Sequence, residues 1–378
     1  MTVPPPPPVS DKRPIVFYDT ECFPNFWLLR FRVKSTRQEY TFRINAGCKL
    51  SPTDITRILF IFECFCVVSF NGNYYDVPMI NAALAGYSCE QLKWLNDKII
   101  LEKAKPWELN LPDWKPSDHI DVMEVAPGMG SQKQYAGRIH CPTMRDLPYE
   151  PSRRLTKEEI EEVTDYCGND LSVLEMLFDA LQPQIYQREL LSKRYGLDLR
   201  SKSDAQLAEA VLKLRCEQAI GRKLYKPEVN YNLSFRYRVP EYIAYEHPAL
   251  QRALQLVRES VFRIGPKGTV EMPAQLEGLT ITIGRSTYKM GIGGLHSREG
   301  CVVHKSDANY VLLDNDVASY YPTLILNSGE WPVALGQVFL QEYNAIKQER
   351  LLAKSTAKMI KKKLSNLKKE LHDNERTI

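Results

Sequence analysis

Acidic residues recur along this chain at spacings that suit phosphoryl-transfer chemistry. Asp19 and Glu21 close the run IVFYDTE. Two residues apart on a strand, their side chains leave the same face and aim at one point. Asn71 and Asp76 follow within FNGNYYD (70–76), at the end of another predicted strand, and Tyr166 and Asp170 share a helical face in DYCGND (165–170). Phosphodiester hydrolysis of this kind uses two divalent ions roughly 3.5–4 Å apart, one to activate water and one to hold the leaving oxygen. Four carboxylates suffice for such a cage: Asp19 between both ions, with Glu21, Asp76 and Asp170 completing it through oxygens and water. Tyr166 then stands where it can orient the attacking water. Singly, each pattern fits a surface acid or an ordinary helix position equally well. In this order, on strand, strand and helix, they point to one site.

A second candidate lies near the other end. VLLDNDVASYYPTLIL places Asp316 after a predicted strand at 309–314, followed by Ser319, Tyr321 and Pro322, the last suited to a first helical turn. IKQERLLAK then sets Arg350 and Lys354 four apart on one face of a helix predicted from about Leu340 to near the C-terminus. Guanidinium and ammonium groups suit phosphate oxygens there, although a solvated charged face reads the same way. The first acidic set finds partners along the chain; Asp316 does not.

Strands are predicted at 14–19, 26–33, 39–44 and 65–70 from apolar alternation. The clearest helix spans 157–181. Thr156 and Glu159 form a capping box, and Ile160, Val163, Cys167, Leu171, Leu174, Leu177 and Leu181 form its apolar stripe. Asp170 sits on the edge of that stripe, where a carboxylate is costly unless something positive meets it, and no basic residue of that helix faces it. A further helix begins near Ser203. Residues 224–290 carry proline, tyrosine and short β-like runs, and YKMGIGGLHSREG (288–300) reads as a glycine-dense turn. Five prolines at 4–8 make a stiff, solvated arm.

Length sets the domain count: 378 residues exceed one ordinary core, so two or three domains are expected. No run approaches a transmembrane span, and no signal-peptide pattern opens the chain. The nine cysteines show neither a CxxC pair nor regular spacing, which argues against a disulfide framework or zinc site and for a reducing cytoplasm. Cys64 and Cys66 read as small core residues in a strand-like run. The net charge of +4 says little, but residues 347–378 hold ten Lys and Arg against four acids, so the positive excess is concentrated there.

Taken in order, DxE, NxxxYD and YxxxD resemble the three exonuclease motifs of proofreading 3′→5′ exonucleases on the ribonuclease H-like fold, in the form carried by family B DNA polymerases. DVASYYP (316–322) resembles that family's first polymerase motif, DxxSLYP, with Tyr320 where leucine is frequent. The resemblance implies that Asp316 binds both catalytic metals at the end of a palm strand. It also implies that Tyr321 stacks under the incoming sugar, and that Arg350 and Lys354 grip the triphosphate from the first fingers helix. GIGGLHS (291–297) resembles a glycine-containing segment of phage-type members, with Gly293, Gly294 and His296, beside Asn71, as DNA contacts; a tight structural turn fits it as well. HIDVMEV (119–125), KQYAGRIH (133–140) and SKSDAQLAEAV (201–211) add to the look of a bacteriophage enzyme.

The resemblance implies an α/β, ribonuclease H-like exonuclease domain at 13–197 after a tail at 1–12. A connecting, DNA-contacting region at 198–305, a partial palm at 306–340 and a first fingers helix at 341–378 would follow. It implies two Mg²⁺ or Mn²⁺ per active site, DNA and dNTP as partners, and the host cytoplasm as location. The NSxYG-like and DTD-like motifs that the family needs next do not occur. A second polypeptide carrying them is one expectation; a truncated product and an engineered fragment are others. A stand-alone 3′→5′ exonuclease and an inactive DNA-binding or assembly subunit are the rival functions.

Overall fold

The computed structural model describes residues 13–375, apart from Asp113, Lys267, Arg285, Glu299 and Ala318, with side chains as far as Glu370. The proline arm lies outside the described residues. The chain divides into two compact units, Met1–Val211 and Leu212–Ile378.

The first unit is α/β. Strands β1 (Ile15–Phe23), β2 (Phe26–Val33) and β3 (Glu39–Asn45) form an antiparallel meander, joined by helix α1 (Pro52–Cys64) to β4 (Cys66–Ser69). Helices α2 (Asp76–Leu84) and α3 (Cys89–Ile100) precede β5 (His119–Asp121). The sheet order is β3-β2-β1-β4-β5, with β4 parallel to β1 and β5 parallel to β4. Helices α4 (Val122–Val125), α5 (Gln132–Arg138), α6 (Lys157–Ala180) and α7 (Gln182–Tyr195) follow, and α8 (Asp204–Ile220) begins in this unit and ends in the second.

Alternation along β1 distributes the core. Val16, Tyr18 and Cys22 join Trp27, Leu29, Phe31 and the α1–α3 residues Ile58, Phe62, Ile80 and Leu92 on one face. The opposite face holds two separate apolar clusters. Phe17 packs with Val68, Ile120, Leu171, Leu174 and Leu177, whereas Phe23 packs with Phe26, Leu28, Val163 and Cys167. Between Phe17 and Phe23 the same face carries Asp19 and Glu21, so the acids occupy a gap between two cores.

Helix α6 crosses that face as its pattern predicts. Thr156 caps it in a reciprocal box with Glu159, and the stripe from Val163 to Leu181 is buried. Two arginines of β2 fasten it. Arg32 donates to the carbonyl of Gly168 at 2.8 Å and to the hydroxyl of Ser172 at 2.6 Å, and pairs with Glu39. Arg30, across the ladder from Asp19, turns its guanidinium to Glu39 and to the Thr164 carbonyl instead. Gly168 leaves room for it; a Cβ there would stand 2.6 Å from Arg30 Nη1.

Two local expectations shift. Cys64 ends α1 and Cys66 opens β4, so the two do not share a strand. Asp76 does not end a strand either: β4 stops at Ser69, and Asp76 is the first residue of α2.

The second unit contains two antiparallel three-stranded sheets. Strand β6 (Ser234–Arg236), helix α9 (Pro248–Glu259), β7 (Val261–Ile264) and β8 (Val270–Glu271) give the order β6-β7-β8. Strands β9 (Thr280–Ile283), β10 (Ser286–Gly291) and β11 (Gly294–Ser297) give β11-β10-β9. Helices α10 (Tyr320–Ser328) and α11 (Val338–Glu375) complete it, and Arg215 pairs with both Glu342 and Glu349 of α11. Its described core is thin: beyond Val211 the buried apolar side chains are Cys216, Leu224, Ala253, Leu276 and Ile281. No described helix in either unit is long and apolar enough to cross a membrane.

Candidate active site

Asp19 and Glu21 project side by side from β1, as a two-residue spacing dictates. Together with Cys167 of α6 they present ligand atoms that all lie within 4.8 Å of one another, the one such group of three among the described residues. The Cys167 thiol is buried and 4.0 Å from Asp19 Oδ2. Asp76 arrives from the start of α2, and its Oδ1 accepts a 2.6 Å hydrogen bond from the Thr20 hydroxyl. Asp170 arrives from α6 with the Tyr166 hydroxyl donating to it.

Electrostatics ties these groups into one cluster. Burial, then the charges of Asp76, Glu21 and Asp170, hold Asp19 well above the usual carboxylate range. Burial, then Asp170 and Asp76, does the same to Glu21, against a lowering pull from Lys133. Asp76, buried, is pushed up to about 7, chiefly by desolvation, with the Thr20 hydrogen bond opposing. Desolvation also raises Asp170, opposed by the Tyr166 hydroxyl and by Lys133. Burial, then Asp170, raises the Tyr166 phenol, so it stays a proton donor. Like charges confined in a poorly solvated gap favour either protons or a cation. All four acids offer hard oxygen donors, the set that Mg²⁺ and Mn²⁺ take.

Four contributors here were not singled out from sequence. Lys133, on α5, stands 5.5 Å over the Tyr166 ring and pairs with Asp146 at 2.9 Å; it brings to Asp170 the positive charge that no residue of α6 brings. The Ser131–Gln134 capping box announces its helix, but nothing local says where α5 docks. Thr20 and Cys167 were visible only as a strand and a stripe position. Asp121, at the end of β5, accepts the backbone N–H groups of Asn71 at 2.8 Å and Asn73 at 3.0 Å, and burial raises it to about 6. Asn71 itself adopts a left-handed φ of 64°, in the turn that leads to Asp76.

The second set is not assembled in the same way. The run predicted as a strand at 309–314 is irregular, and Val311 and Leu313 are 81% and 74% exposed. The Asp307 carboxylate accepts from the N–H groups of Asn309 and Tyr310, and Tyr310 returns its carbonyl to the Asp307 N–H. This local turn competes with extension, and no described strand pairs with the segment. Asp316 follows on exposed chain. Tyr321 lies in the first turn of α10, exposed, its ring 5.5 Å from that of Tyr320. Arg350 and Lys354 share a face of α11, both exposed. Among the described residues no second carboxylate joins Asp316 in a ligand group.

Gly293, Gly294 and His296 form the tip and far strand of the β10–β11 hairpin, closed by Gly291 opposite Gly294. Gly294 has a φ of 130°, which a side chain would oppose. Near it lies an apolar cavity of about 510 Å³, lined by Phe235, Leu254, Phe262, Met290 and Leu295 among others, with no carboxylate or histidine among its described lining residues. It is a gap in the thin core of that unit. Sought among protein families, curated proteins and solved structures, the chain finds no match.

Proposed function

We propose that residues 13–211 form a two-metal 3′→5′ exonuclease of the ribonuclease H-like kind, acting on single-stranded DNA ends. The observation that carries this reading is Asp19 and Glu21 side by side on β1, their ligand atoms within 4.8 Å of each other and of Cys167, with Asp76 and Asp170 outside that group but near enough for their charges to act on both. The sheet order β3-β2-β1-β4-β5, with the paired acids on central β1, supports it. Asp19 and Glu21 would hold the ions from the sheet, with Asp76 and Asp170 closing the cage. A pair of Mg²⁺ or Mn²⁺ bound there supplies an activated water and stabilisation of the leaving oxygen. Thr20 fixes the rotamer of Asp76 through its hydrogen bond. Tyr166, kept protonated, can donate to the attacking water or a phosphate oxygen. Lys133 lowers the charge of the cluster so that a polyanion can approach.

In the same reading the chain is the N-terminal part of a family B-like phage DNA polymerase. Asp316 and Tyr321 begin a polymerase site that also takes dNTP, and the remaining carboxylate of that site is not among these residues. The exposure of Asp316 supports a site not complete in this chain, which equally favours an exonuclease acting alone. The two are separated by adding a chain that bears the missing motifs. If Asp316→Ala abolishes dNTP incorporation by the mixture and spares nuclease activity, the split polymerase stands; incorporation indifferent to Asp316 sinks it.

A further inference from the structure

We propose that Asp121 is a positioning residue for the metal site: its carboxylate gathers the turn at 71–73 and thereby fixes where α2 begins and where Asp76 points. The proposal rests on Asp76 being a metal ligand, as the nuclease reading has it.

Asp121 is fully buried and, like Asp76, lies outside the group formed by Asp19, Glu21 and Cys167. Its Oδ1 accepts the N–H groups of Asn71 at 2.8 Å and Met123 at 3.2 Å, and its Oδ2 accepts that of Asn73 at 3.0 Å. Two amides of one short turn thus converge on a single anion, as in a backbone nest. The end of β5 is itself pinned: the Asp121 N–H donates to the Ser201 hydroxyl at 2.8 Å, which donates to the His119 carbonyl at 3.0 Å.

The turn has little slack with which to absorb a change. Asn71 is left-handed, and a Cβ on Gly72 would come within 2.0 Å of Ser69 Oγ. The Asn71 carbonyl accepts from both Tyr74 and Tyr75, and the Gly72 carbonyl accepts from Val77 in the first turn of α2. A shift at Asn71 or Gly72 therefore passes directly to Asp76, whose side chain is otherwise held by Thr20. Asparagine at 121 would keep the shape but turn an amide N–H₂ against a peptide N–H, losing one of the two loop anchors.

The test is direct Mn²⁺ binding to the full chain, read by titration calorimetry, for the parent, Asp121→Asn and Asp76→Asn. The parent should bind two ions. Asp121→Asn should weaken binding about tenfold and raise the metal concentration for half-maximal nuclease activity equally, with KM for DNA unchanged. The double variant should bind no more weakly than Asp76→Asn alone, because Asp121 acts through Asp76. A purely architectural role would lower the melting temperature and leave the metal affinity of the folded protein intact. Amide exchange of the metal-free parent gives a second reading that needs no variant: the Asn71 and Asn73 amides should exchange as slowly as those of β4. A folded Asp121→Asn that binds Mn²⁺ as the parent does overturns the proposal, as does fast exchange at both amides or a parent that binds no Mn²⁺. A parent that binds Mn²⁺ in an Asp121-dependent way but degrades no DNA sinks the nuclease reading and leaves the positioning role standing.

Discussion

Asp19 and Asp316 each follow an apolar run on which the sequence places a strand, yet only the first becomes part of a cluster. Asp19 stands on a central strand between two apolar cores, with α6 fastened across it by Arg30 and Arg32. Other elements can therefore bring Asp76 and Asp170 to it. Asp316 stands on exposed chain after an irregular segment, in a unit with few buried side chains. The difference teaches that a motif supplies ligands, whereas packing supplies their convergence. Forcing like charges together is unfavourable by itself, and only a well-filled surround sustains it.

The largest effect that would sharpen this contrast is on turnover. Asp170→Asn should lower exonuclease turnover by about a thousandfold, roughly 4 kcal/mol. The melting temperature in chelator should not fall, because the substitution removes a buried like charge. A loss of folding in circular dichroism would show that Asp170 is architectural instead.

Next in size is the clamp. Arg32→Ala removes the buried hydrogen bonds to the Gly168 carbonyl and the Ser172 hydroxyl, while Glu39 keeps its pair with Arg30, and should destabilise the first unit by about 2 kcal/mol in urea unfolding. The matching change in the second unit, Arg215→Ala, removes two partly exposed ion pairs with Glu342 and Glu349 and should cost no more than about 1 kcal/mol. Equal losses would break the comparison.

A smaller effect follows pH. Asp76, raised to about 7 from an ordinary carboxylate value, favours folding fully only below that ordinary value, and the advantage fades as pH rises through about 7. Asp19, Glu21 and Asp170 are shifted in the same direction. The metal-free melting temperature should thus fall from pH 5.5 to pH 8, and Mg²⁺ or Mn²⁺ should restore it more strongly at pH 8. A metal-free protein most stable at pH 8 would contradict the clustered charges. Smallest of all, Asp316→Ala should leave both the melting temperature and the nuclease rate of this chain where they were.

Local signals read well from sequence. The capping box at Thr156 and Glu159, the stripe down α6 and the shared face of Asp19 and Glu21 depend only on neighbours three or four residues away at most. What escaped depends on docking. Lys133 acts on residues of α6 that its own helix gives no hint of, and Asp121 matters because β5 lies beside β4. Asp76 reads as the end of a strand until the left-handed turn at Asn71 starts a helix there. The strand placed at 309–314 fails for the opposite reason: its apolar pattern is real, but the Asp307 turn offers local hydrogen bonds and no described strand offers a ladder.

The most direct test of the central claim is degradation of 5′-labelled single-stranded DNA by the purified chain, with Mg²⁺, with Mn²⁺ and with chelator, for the parent, Asp19→Ala and Asp316→Ala. Stepwise shortening from the 3′ end should require the metal, be lost in Asp19→Ala by about a thousandfold or more, and persist in Asp316→Ala. A parent inert with both metals, or an Asp19→Ala variant as active as the parent, would contradict the account.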